Sequence, residues 1–366
     1  MTAGFFSPMP PARTGVADYS AALLAEMRKL GDVRLNQLGE VAIYHIGNNQ
    51  LHRPIYQRAL TEPGLIVLHD AVLQHFFLGS LDESAYVEEF VYNYGPWTAG
   101  LAGRLWRNRA RSGSAAIYFE YPMLKRVVER SLGVVVHNRA AAQIVHRHVA
   151  TARVFEIPHL FLDGPQPAEY EVLRLRARMG LRPSDTLFGI FGHLRESKRL
   201  TAVLDAFGRL RRGGERVALL VAGDFVSSDL ARNVRPLLNT PGIQRVGYTP
   251  EKTFWLYANA VDACINLRYP TAGETSGIAV RLMGIGKPAL LTAGSETADI
   301  PVAAAIRIDP GMLETDMLSE YMLWLTRFPA DARSIGALAQ QHIRTEHAGA
   351  RVAASYWKAL AECRGF

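Results

Sequence analysis

A carboxylate, two hydroxyls and two glycines stand together in G-E-T-S-G-I, residues 273–278, just before an apolar helical stretch. The preceding V-D-A-C-I-N-L-R is typical of a buried strand, and Thr275 or Ser276 can cap the helix that follows. Free N–H groups at a helix N-terminus bind anions, so a phosphate fits this position. Glu274 would repel it unless the carboxylate contacts a neutral, hydroxylated group such as a sugar. Ordinary capping, with Glu274 favoured by the helix dipole, is the alternative, and both interpretations stay open.

The second candidate anion site is the basic turn G-H-L-R-E-S-K-R-L, residues 192–200, which follows the apolar run L-F-G-I-F. Lys198 is expected at the start of the next helix, where the helix dipole disfavours a cation unless an anion shares the site. Arg195 and Arg199 can contribute to the same site. A solvated basic turn is the alternative, and this segment taken alone favours it.

Two turns in the first half of the chain also follow apolar runs. In P-P-A-R-T-G-V-A-D-Y, residues 10–19, Gly15 permits close approach of a ligand at the start of a helix. His69 stands at the carboxyl end of G-L-I-V-L-H, and Asp70 can cap the next helix. A plain strand-to-helix turn explains Gly15 equally well, and a structural role explains His69 equally well.

Signatures of several other enzyme classes are absent from the sequence. The histidines of H-R-H, residues 146–148, lie on different faces of a helix because they are two residues apart. The chain has no D-x-D pair, no G-x-S-x-G, no P-loop and no G-x-G-x-x-G. We therefore expect no metal and no cofactor.

Short apolar runs alternate with amphipathic stretches along nearly the whole chain, which predicts parallel sheets covered on both faces by helices. The expected strands are A-G-F-F-S, V-R-L-N-Q-L, V-A-I-Y-H-I, G-L-I-V-L-H, G-V-V-V-H, L-F-G-I-F-G, V-A-L-L-V-A-G, I-Q-R-V-G, V-D-A-C-I-N-L, P-A-L-L-T and A-A-I-R-I. The proline-rich residues 157–169 are the best candidate hinge. We expect two doubly wound α/β domains, 1–163 and 164–348, and a helix within 349–366 that can pack back on the first domain. Ligands bind beyond the carboxyl ends of such strands, so two facing domains would form a central cleft.

Composition narrows the range of partners. The 366 residues carry a net charge of +7, almost wholly from arginine, which favours anionic partners. No basic-aromatic motif points to nucleic acid. The two cysteines cannot form a disulfide framework, and Cys264 is expected in the core. Without a signal peptide or an apolar span, a cytoplasmic location is expected, with possible peripheral contact at an anionic inner membrane face.

Together these motifs resemble retaining glycosyltransferases of the GT-B fold, family 4, also called glycosyl transferases group 1. The resemblance covers the chain through P-P-A-R-T-G-V-A-D-Y, V-L-H-D, V-V-V-H-N, I-P-H, G-H-L-R-E-S-K, V-A-G-D, V-G-Y-T-P, R-Y-P-T-A-G-E-T-S-G and G-K-P. It implies metal-independent transfer of a sugar from a nucleotide-sugar donor to a saccharide, lipid-linked or small-molecule acceptor. It also implies two Rossmann-like domains, of which the first binds the acceptor and the second binds the donor.

The resemblance assigns roles to the residues singled out above. It implies that Lys198, helped by Arg195, binds the donor diphosphate together with the backbone amides of Ser276 and Gly277, while Gly15 approaches the same phosphates. It implies that Glu274 and Thr275 hold the donor sugar and that His69 orients the reacting sugar. Tyr248 corresponds to the region that holds the base. The implied catalytic residues are His69, Glu274 and Lys198.

The chain departs from the family pattern at two positions. That pattern has a second glutamate about two turns along the helix, for the ribose hydroxyls, whereas Arg281 and Leu282 stand here. Arg281 can instead face a phosphate, the nucleotide or an acidic neighbour. His193 replaces an arginine that assists the lysine, and Arg195, Arg268 or Arg281 can supply that charge.

Acceptor recognition is the least determined part of the sequence. One segment is rich in aromatic residues and ends in four arginines. The aromatic faces can stack on sugars and the arginines can meet a lipid phosphate or an anionic membrane, although core aromatics beside a solvated basic face are the favoured explanation. These residues are Phe76, Phe77, Tyr86, Phe90, Tyr92, Tyr94, Trp97, Trp106, Arg104, Arg107, Arg109 and Arg111. Two alternatives to transfer stay open: a nucleotide-sugar epimerase and a non-catalytic sugar-nucleotide-binding or scaffold protein.

Overall fold

The computed structural model describes residues 1–12 and 14–364, which form twelve β-strands and fifteen α-helices in near-regular alternation. The strands are Thr2–Phe6 (β1), Asp32–Leu35 (β2), Val41–Ile46 (β3), Leu65–Leu68 (β4), Gly133–Val136 (β5), Val154–Glu156 (β6), Thr186–Phe191 (β7), Val217–Ala222 (β8), Ile243–Val246 (β9), Ala263–Asn266 (β10), Ala289–Thr292 (β11) and Ile306–Ile308 (β12). The helices are Gly15–Arg28 (α1), Arg53–Thr61 (α2), Gln74–Ser80 (α3), Glu83–Tyr94 (α4), Ala99–Arg107 (α5), Lys125–Glu129 (α6), Arg139–His148 (α7), Glu169–Arg178 (α8), Leu200–Arg212 (α9), Ser228–Leu238 (α10), Glu251–Ala260 (α11), Gly277–Gly284 (α12), Glu314–Arg327 (α13), Pro329–Glu346 (α14) and Gly349–Cys363 (α15).

Two compact units divide the chain. Unit 1 comprises Met1–Leu162, Pro270–Thr275 and Glu346–Phe366, and unit 2 comprises Asp163–Tyr269 and Ser276–Thr345. The segment that carries Glu274 therefore belongs by its contacts to unit 1, although the residues on either side of it belong to unit 2.

The sheet of unit 1 is wholly parallel, with strand order β2-β1-β3-β4-β5-β6. Alternate residues of its central strands enter two different cores: Ile66 and Leu68 pack into one, and Leu65 and Val67 into the other. Because successive side chains point to opposite faces of a sheet, both faces of unit 1 are covered. On one face α15 packs against α1, where the hydroxyls of two buried tyrosines, Tyr19 and Tyr356, lie 2.9 Å apart.

The sheet of unit 2 is also parallel and has the order β12-β11-β10-β7-β8-β9. Every residue of β8 (V-A-L-L-V-A) is buried, as expected for a strand with helices on both sides. The predicted α/β class, with two doubly wound units built on parallel sheets, is confirmed. Cys264, which was predicted to lie in the core, is fully buried in β10, and burial raises the pKa of its thiol to about 12.

Two strand predictions differ from the structure. Strand β6 was missed because V-F-E is short and only partly buried at the sheet edge, so it lacks an apolar run. The expected strand V-R-L-N-Q-L ends at Leu35 because Asn36 has a left-handed backbone (φ 55°), which a β-strand does not accommodate. Across the residues that the structure describes, no helix combines the length and the apolar character needed to span a bilayer.

Candidate functional site

In unit 2, the direction in which the chain connects successive strands reverses between β7 and β10, and the carboxyl ends of these strands are where a ligand can bind. These strands are neighbours, but β7 continues through α9 to β8 on one side, and β10 continues through α12 to β11 on the other. The connections therefore diverge, and a ligand can lie between the two loops. The loops also contact each other, since the backbone N–H of Tyr269 donates to the carbonyl oxygen of Ser197 at 2.8 Å.

Lys198 is buried at this position, and its Nζ donates a hydrogen bond to the carbonyl oxygen of Phe191, the last residue of β7. The lysine was expected at the start of a helix, and that expectation is wrong: it closes the single 3-10 turn Glu196–Lys198. Helix α9 begins only at Leu200, because Arg199 takes a left-handed conformation (φ 55°) between the two. Arg199 itself is engaged elsewhere, in an ion pair with Glu314 at 2.7 Å.

The N-terminus of α12 lies at the same end of the sheet. Ser276 is the N-cap residue, and its hydroxyl accepts from the backbone N–H of Ala279 at 3.3 Å. The Arg268 guanidinium donates to the same Ser276 hydroxyl at 3.2 Å, so a cation sits against the helix start. A Cβ built on Gly192 would be 3.6 Å from the Ile278 side chain and 3.7 Å from the Lys198 ammonium. Lys198, Arg268 and the N-terminus of α12 thus converge around the ends of β7 and β10.

Arg281 lies one turn into α12 and faces an acidic neighbour, one of the options left open by the sequence. Its side chain is 10% exposed, and Nη1 contacts a carboxylate oxygen of Glu251 at 3.1 Å. Tyr248, the predicted base-side residue, is half-exposed in the loop after β9, and its backbone N–H donates to Asp224 at 3.2 Å. The side chain of Arg195 is exposed beside the Lys198 turn.

In unit 1, the segment 270–275 is held at the carboxyl ends of β4 and β5. The backbone N–H of Ala71 donates to the carbonyl oxygen of Ala272 at 2.7 Å. The Asn138 amide donates to the carbonyl oxygen of Gly273 at 3.0 Å and to the Thr275 hydroxyl at 2.9 Å. Thr275, an expected cap of α12, instead donates from its hydroxyl to the His137 carbonyl at 3.3 Å.

Glu274 lies in this held segment, outside any helix. Its carboxylate accepts from the backbone N–H of Ala272 at 2.8 Å and from the Thr271 hydroxyl at 3.1 Å. These two bonds fix the orientation of a partly exposed carboxylate, which precedes the N-cap of α12 by two residues. Gly15, also in unit 1, is the exposed first residue of α1, and a Cβ there would meet nothing within 4 Å.

His69 is the middle ring of a buried histidine chain that the sequence interpretation missed. Its Nε2 lies 3.0 Å from His45 Nδ1, and its Nδ1 lies 3.4 Å from His137 Nε2. The chain ends where His137 Nδ1 meets the carbonyl oxygen of Ile157 at 3.0 Å. Burial lowers the pKa of His137 to about 4, and burial with neighbouring histidines lowers those of His45 and His69 well below 6.5.

The Ile157 carbonyl sets the tautomer of every ring in the chain. A carbonyl only accepts, so His137 carries its proton on Nδ1 and leaves Nε2 as an acceptor. His69 must then donate from Nδ1 and accept at Nε2, which makes His45 the donor through its Nδ1. The remaining nitrogen, His45 Nε2, is buried without a hydrogen-bond partner. Burial lowers the pKa of each ring and so keeps all three imidazoles neutral, and both nitrogens of His69 face other rings. The sequence signal was three histidines at or just after the ends of successive strands.

The aromatic segment divides between core and surface. Phe76, Phe77, Tyr86 and Phe90 are buried in the core, whereas Trp97 is 83% exposed. All four of the arginines singled out there are exposed, and one of them, Arg109, stacks on the Trp106 ring at 4.4 Å. The favoured explanation from the sequence, core aromatics beside a solvated basic face, holds for most of these residues.

Comparison with known proteins identifies the fold. No family model matches the chain, and no curated protein sequence matches it either. Among solved structures, HepE from Anabaena in complex with UDP-glucose is similar with a TM-score of 0.65 and 14% identity, covering 99% of this chain and 100% of that chain. Sucrose-phosphate synthase from Thermosynechococcus elongatus has a TM-score of 0.68 and 13% identity, covering 99% and 98%.

A third similar structure is WaaG, described as a glycosyltransferase involved in lipopolysaccharide biosynthesis. Its TM-score is 0.65 at 13% identity, and the match covers 100% of both chains. HepE has also been solved with UDP and glucose together, at a TM-score of 0.64. The chain therefore has the GT-B fold of glycosyltransferases, and the resemblance drawn from its motifs is confirmed at that level.

Proposed function

We propose that the protein is a glycosyltransferase that moves a sugar from a nucleotide-sugar donor to a saccharide, lipid-linked or small-molecule acceptor. The observation that carries the proposal is the convergence of Lys198, Arg268 and the N-terminus of α12 at the switch point of unit 2. Two cations and free backbone N–H groups in one crevice suit a diphosphate. The GT-B fold and the UDP-glucose in the similar HepE structure support the same ligand class.

The proposed chemistry rests on stabilising the leaving nucleoside diphosphate. As the bond from the sugar to the diphosphate breaks, negative charge grows on the phosphate oxygens, which Lys198, Arg268 and the backbone amides of Ser276 and Gly277 would stabilise without a metal. Preorganised donors of this kind are worth about 3–4 kcal/mol each. We further propose retention of anomeric configuration through front-face attack, with the leaving phosphate accepting the proton of the acceptor hydroxyl.

Other predicted residues receive roles in the same proposal. Glu274, held by two hydrogen bonds, would accept from hydroxyls of the donor sugar, with Thr275 beside it. His69 would orient the reacting sugar by contact with the carbon edge of its uncharged ring, because both of its nitrogens face other histidines. Gly15, with open space where a Cβ would be, leaves room for a phosphate. Arg195, Tyr248 and Arg281 stay assigned to the diphosphate and nucleotide side.

A ligand panel tests the donor site. Thermal stability is measured with UDP, GDP, ADP, dTDP and their common sugar conjugates, for the wild type and for Lys198→Ala. One nucleotide-sugar should stabilise the wild type, and Lys198→Ala should weaken its binding and cut transfer about 100- to 1000-fold. Lys252→Ala, an exposed lysine of unit 2, is the matched control and should change neither. If the nucleotide-sugar stabilises Lys198→Ala as much as it stabilises Lys252→Ala, the proposed site is refuted.

A second comparison separates transfer from the alternatives. Glu274→Gln should weaken binding of the nucleotide-sugar more than binding of the free nucleoside diphosphate, because the carboxylate is proposed to contact the sugar. Incubation with the stabilising donor and a panel of saccharide and lipid-linked acceptors should release the nucleoside diphosphate. Release of an isomerised nucleotide-sugar without acceptor would identify an epimerase instead, and binding without any turnover would identify a non-catalytic binding protein.

We also propose peripheral contact with an anionic membrane, through the exposed arginines and Trp97 of unit 1. The exposed cations are Arg104, Arg107, Arg109 and Arg111. Each basic residue near an anionic surface contributes about 1 kcal/mol. Sedimentation with liposomes should therefore show binding that needs anionic lipid and weakens with salt, and an Arg104→Ala, Arg109→Ala double variant should bind less. No binding at low salt would refute this contact.

A further inference from the structure

Glu251, the first residue of α11, is a carboxylate whose two oxygens are both fixed by neighbouring side chains. The indole N–H of Trp255 donates to Oε1 at 2.8 Å, and the Arg281 guanidinium contacts Oε2 at 3.1 Å. Trp255 is fully buried, and the Arg281 side chain is only 10% exposed, whereas that of Glu251 is 53% exposed. Two buried side chains thus hold the carboxylate in one orientation, while the rest of the Glu251 side chain faces solvent.

A chain of contacts joins this carboxylate to the end of β7. The Arg281 guanidinium lies 5.3 Å from the centroid of the Phe254 ring, and that ring lies 5.5 Å from the ring of Phe191. The carbonyl oxygen of Phe191 in turn accepts the hydrogen bond from Lys198. Glu251 is therefore connected to the proposed diphosphate site through Arg281 and two packed aromatic rings, within the same unit.

The chemistry of this position excludes a phosphate and favours hydroxyls. A carboxylate repels an anion, and Arg281 cannot attract one strongly because it is already paired with Glu251. Each carboxylate oxygen has two acceptor positions, so one on each oxygen is still available after Trp255 and Arg281 are satisfied. Two adjacent hydroxyls of a ligand can donate to these positions. In doubly wound nucleotide-binding folds, an acidic residue accepts from a ribose hydroxyl in this way.

We propose that Glu251 binds the hydroxyl pair of the donor's ribose and that Arg281 and Trp255 are positioning residues for it. This inference rests on the proposed function, because it needs the diphosphate to bind beside Lys198. It assigns Arg281 a place in nucleotide recognition through Glu251 rather than through a contact of its own. The selectivity that follows is for ribonucleotides over 2′-deoxyribonucleotides.

The test measures the ratio of two affinities by calorimetry. Whichever of UDP, GDP and ADP binds the wild type best is compared with its 2′-deoxy counterpart, in wild type, Glu251→Gln and Arg281→Met. A hydrogen bond to a charged group corresponds to about tenfold or more in affinity, so the wild type should prefer the ribonucleotide by about tenfold. Glu251→Gln should lose most of that preference while binding the deoxynucleotide within about twofold of wild type. Arg281→Met should reduce the preference as well, because the carboxylate loses its fixed orientation.

Controls separate this role from a purely structural ion pair. Asp316→Asn removes the carboxylate of another exposed pair in unit 2, with Arg209, and should leave the ratio unchanged. A wild type that binds both nucleotides equally, or a Glu251→Gln variant that lowers thermal stability but keeps the tenfold ratio, overturns the inference alone. If dTDP is the only nucleoside diphosphate that binds the wild type, the inference fails while the proposed function stands. If none of UDP, GDP, ADP and dTDP binds the wild type at millimolar concentration, the proposed function fails first and the inference falls with it.

Discussion

Acidification should destabilise unit 1 selectively, because this unit buries neutral histidines. Burial lowers the pKa values of His52 and His137 from 6.5 to about 4. The unfolded chain binds protons on these residues as the pH falls below 6.5, while the folded chain does not. The stability that the neutral rings contribute is therefore complete above pH 6.5 and is lost progressively as the pH falls toward 4.

The expected loss is large compared with the stability of an ordinary domain. At pH 5, about 1.5 units below the unfolded pKa and with about 1.4 kcal/mol per unit, each residue lowers the free energy of unfolding by about 2 kcal/mol relative to pH 7.5. His52 and His137 together remove about 4 kcal/mol, against a typical total of about 5–15 kcal/mol. His45 and His69 act in the same direction, since their pKa values are also lowered. With a denaturant slope near 2 kcal/mol per molar, the urea midpoint of unit 1 should fall by about 2 M.

The assay must report on each unit separately. The protein is equilibrated in urea at pH 7.5 or pH 5, labelled with a brief deuterium pulse and digested, so that peptides from each unit give their own midpoint. Unit 2 is the internal control, because it contains only two of the eleven histidines, His193 and His342. In His137→Asn, the new amide can still donate to the Ile157 carbonyl, but one titrating ring is gone.

Two outcomes would refute the reasoning. The first is an equal fall of the urea midpoint in both units, which would mean that general acid effects dominate over the buried rings. The second is a His137→Asn variant that loses as much stability between pH 7.5 and pH 5 as the wild type does. The expected result is a loss smaller by about 2 kcal/mol, whatever the stability of the variant at pH 7.5.

Three substitutions test other parts of the structure. Tyr19→Phe leaves the Tyr356 hydroxyl buried without its partner and should cost about 1–3 kcal/mol by urea unfolding, and adding Tyr356→Phe should recover part of that loss. Gly223→Ala would place a Cβ 2.1 Å from the carbonyl oxygen of Gly192, so it should distort the end of β7 and lower both thermal stability and nucleotide affinity, and wild-type affinity would contradict the placement of the donor site. Asn138→Ala removes both bonds to the segment that carries the proposed sugar-binding carboxylate, so calorimetry should show weaker nucleotide-sugar binding with nucleoside diphosphate binding unchanged.

The sequence predicted the sheets well because their signal is local. A strand covered on both faces must be apolar at nearly every position, so V-A-I-Y-H-I and V-A-L-L-V-A could be recognised without knowing their neighbours. The exception, β6, lies at a sheet edge where only part of each residue needs to be buried. The strand ends then pointed to the loops that hold Lys198, Glu274 and His69, since ligand sites of such folds occur there.

What the sequence did not reveal depends on pairs of residues far apart in the chain. His45, His69 and His137 look like isolated histidines until the order β3-β4-β5 sets their strands side by side. The pairing of Arg281 with Glu251 likewise joins two residues that are thirty positions apart, on α12 and α11, and no local pattern distinguishes Arg281 from a solvated arginine. The position of Lys198 was also misjudged: it lies two residues before α9, because the left-handed residue that delays this helix is an arginine rather than a glycine.

The charges in unit 2 make Arg281 compatible with the proposed donor site, although α12 lacks the glutamate that the family resemblance leads one to expect. Lys198 and Arg268 carry two positive charges, and the N-terminus of α12 adds roughly half of one, which suits the diphosphate of a nucleotide-sugar. A free guanidinium at Arg281 would add cationic charge where a neutral ribose should bind. Glu251 neutralises that charge in an ion pair, in which Arg281 fixes the orientation of the Glu251 carboxylate. If Arg281 instead bound phosphate directly, Arg281→Met would weaken ribonucleotide and deoxyribonucleotide equally, whereas the pairing with Glu251 predicts that the ribonucleotide alone is weakened.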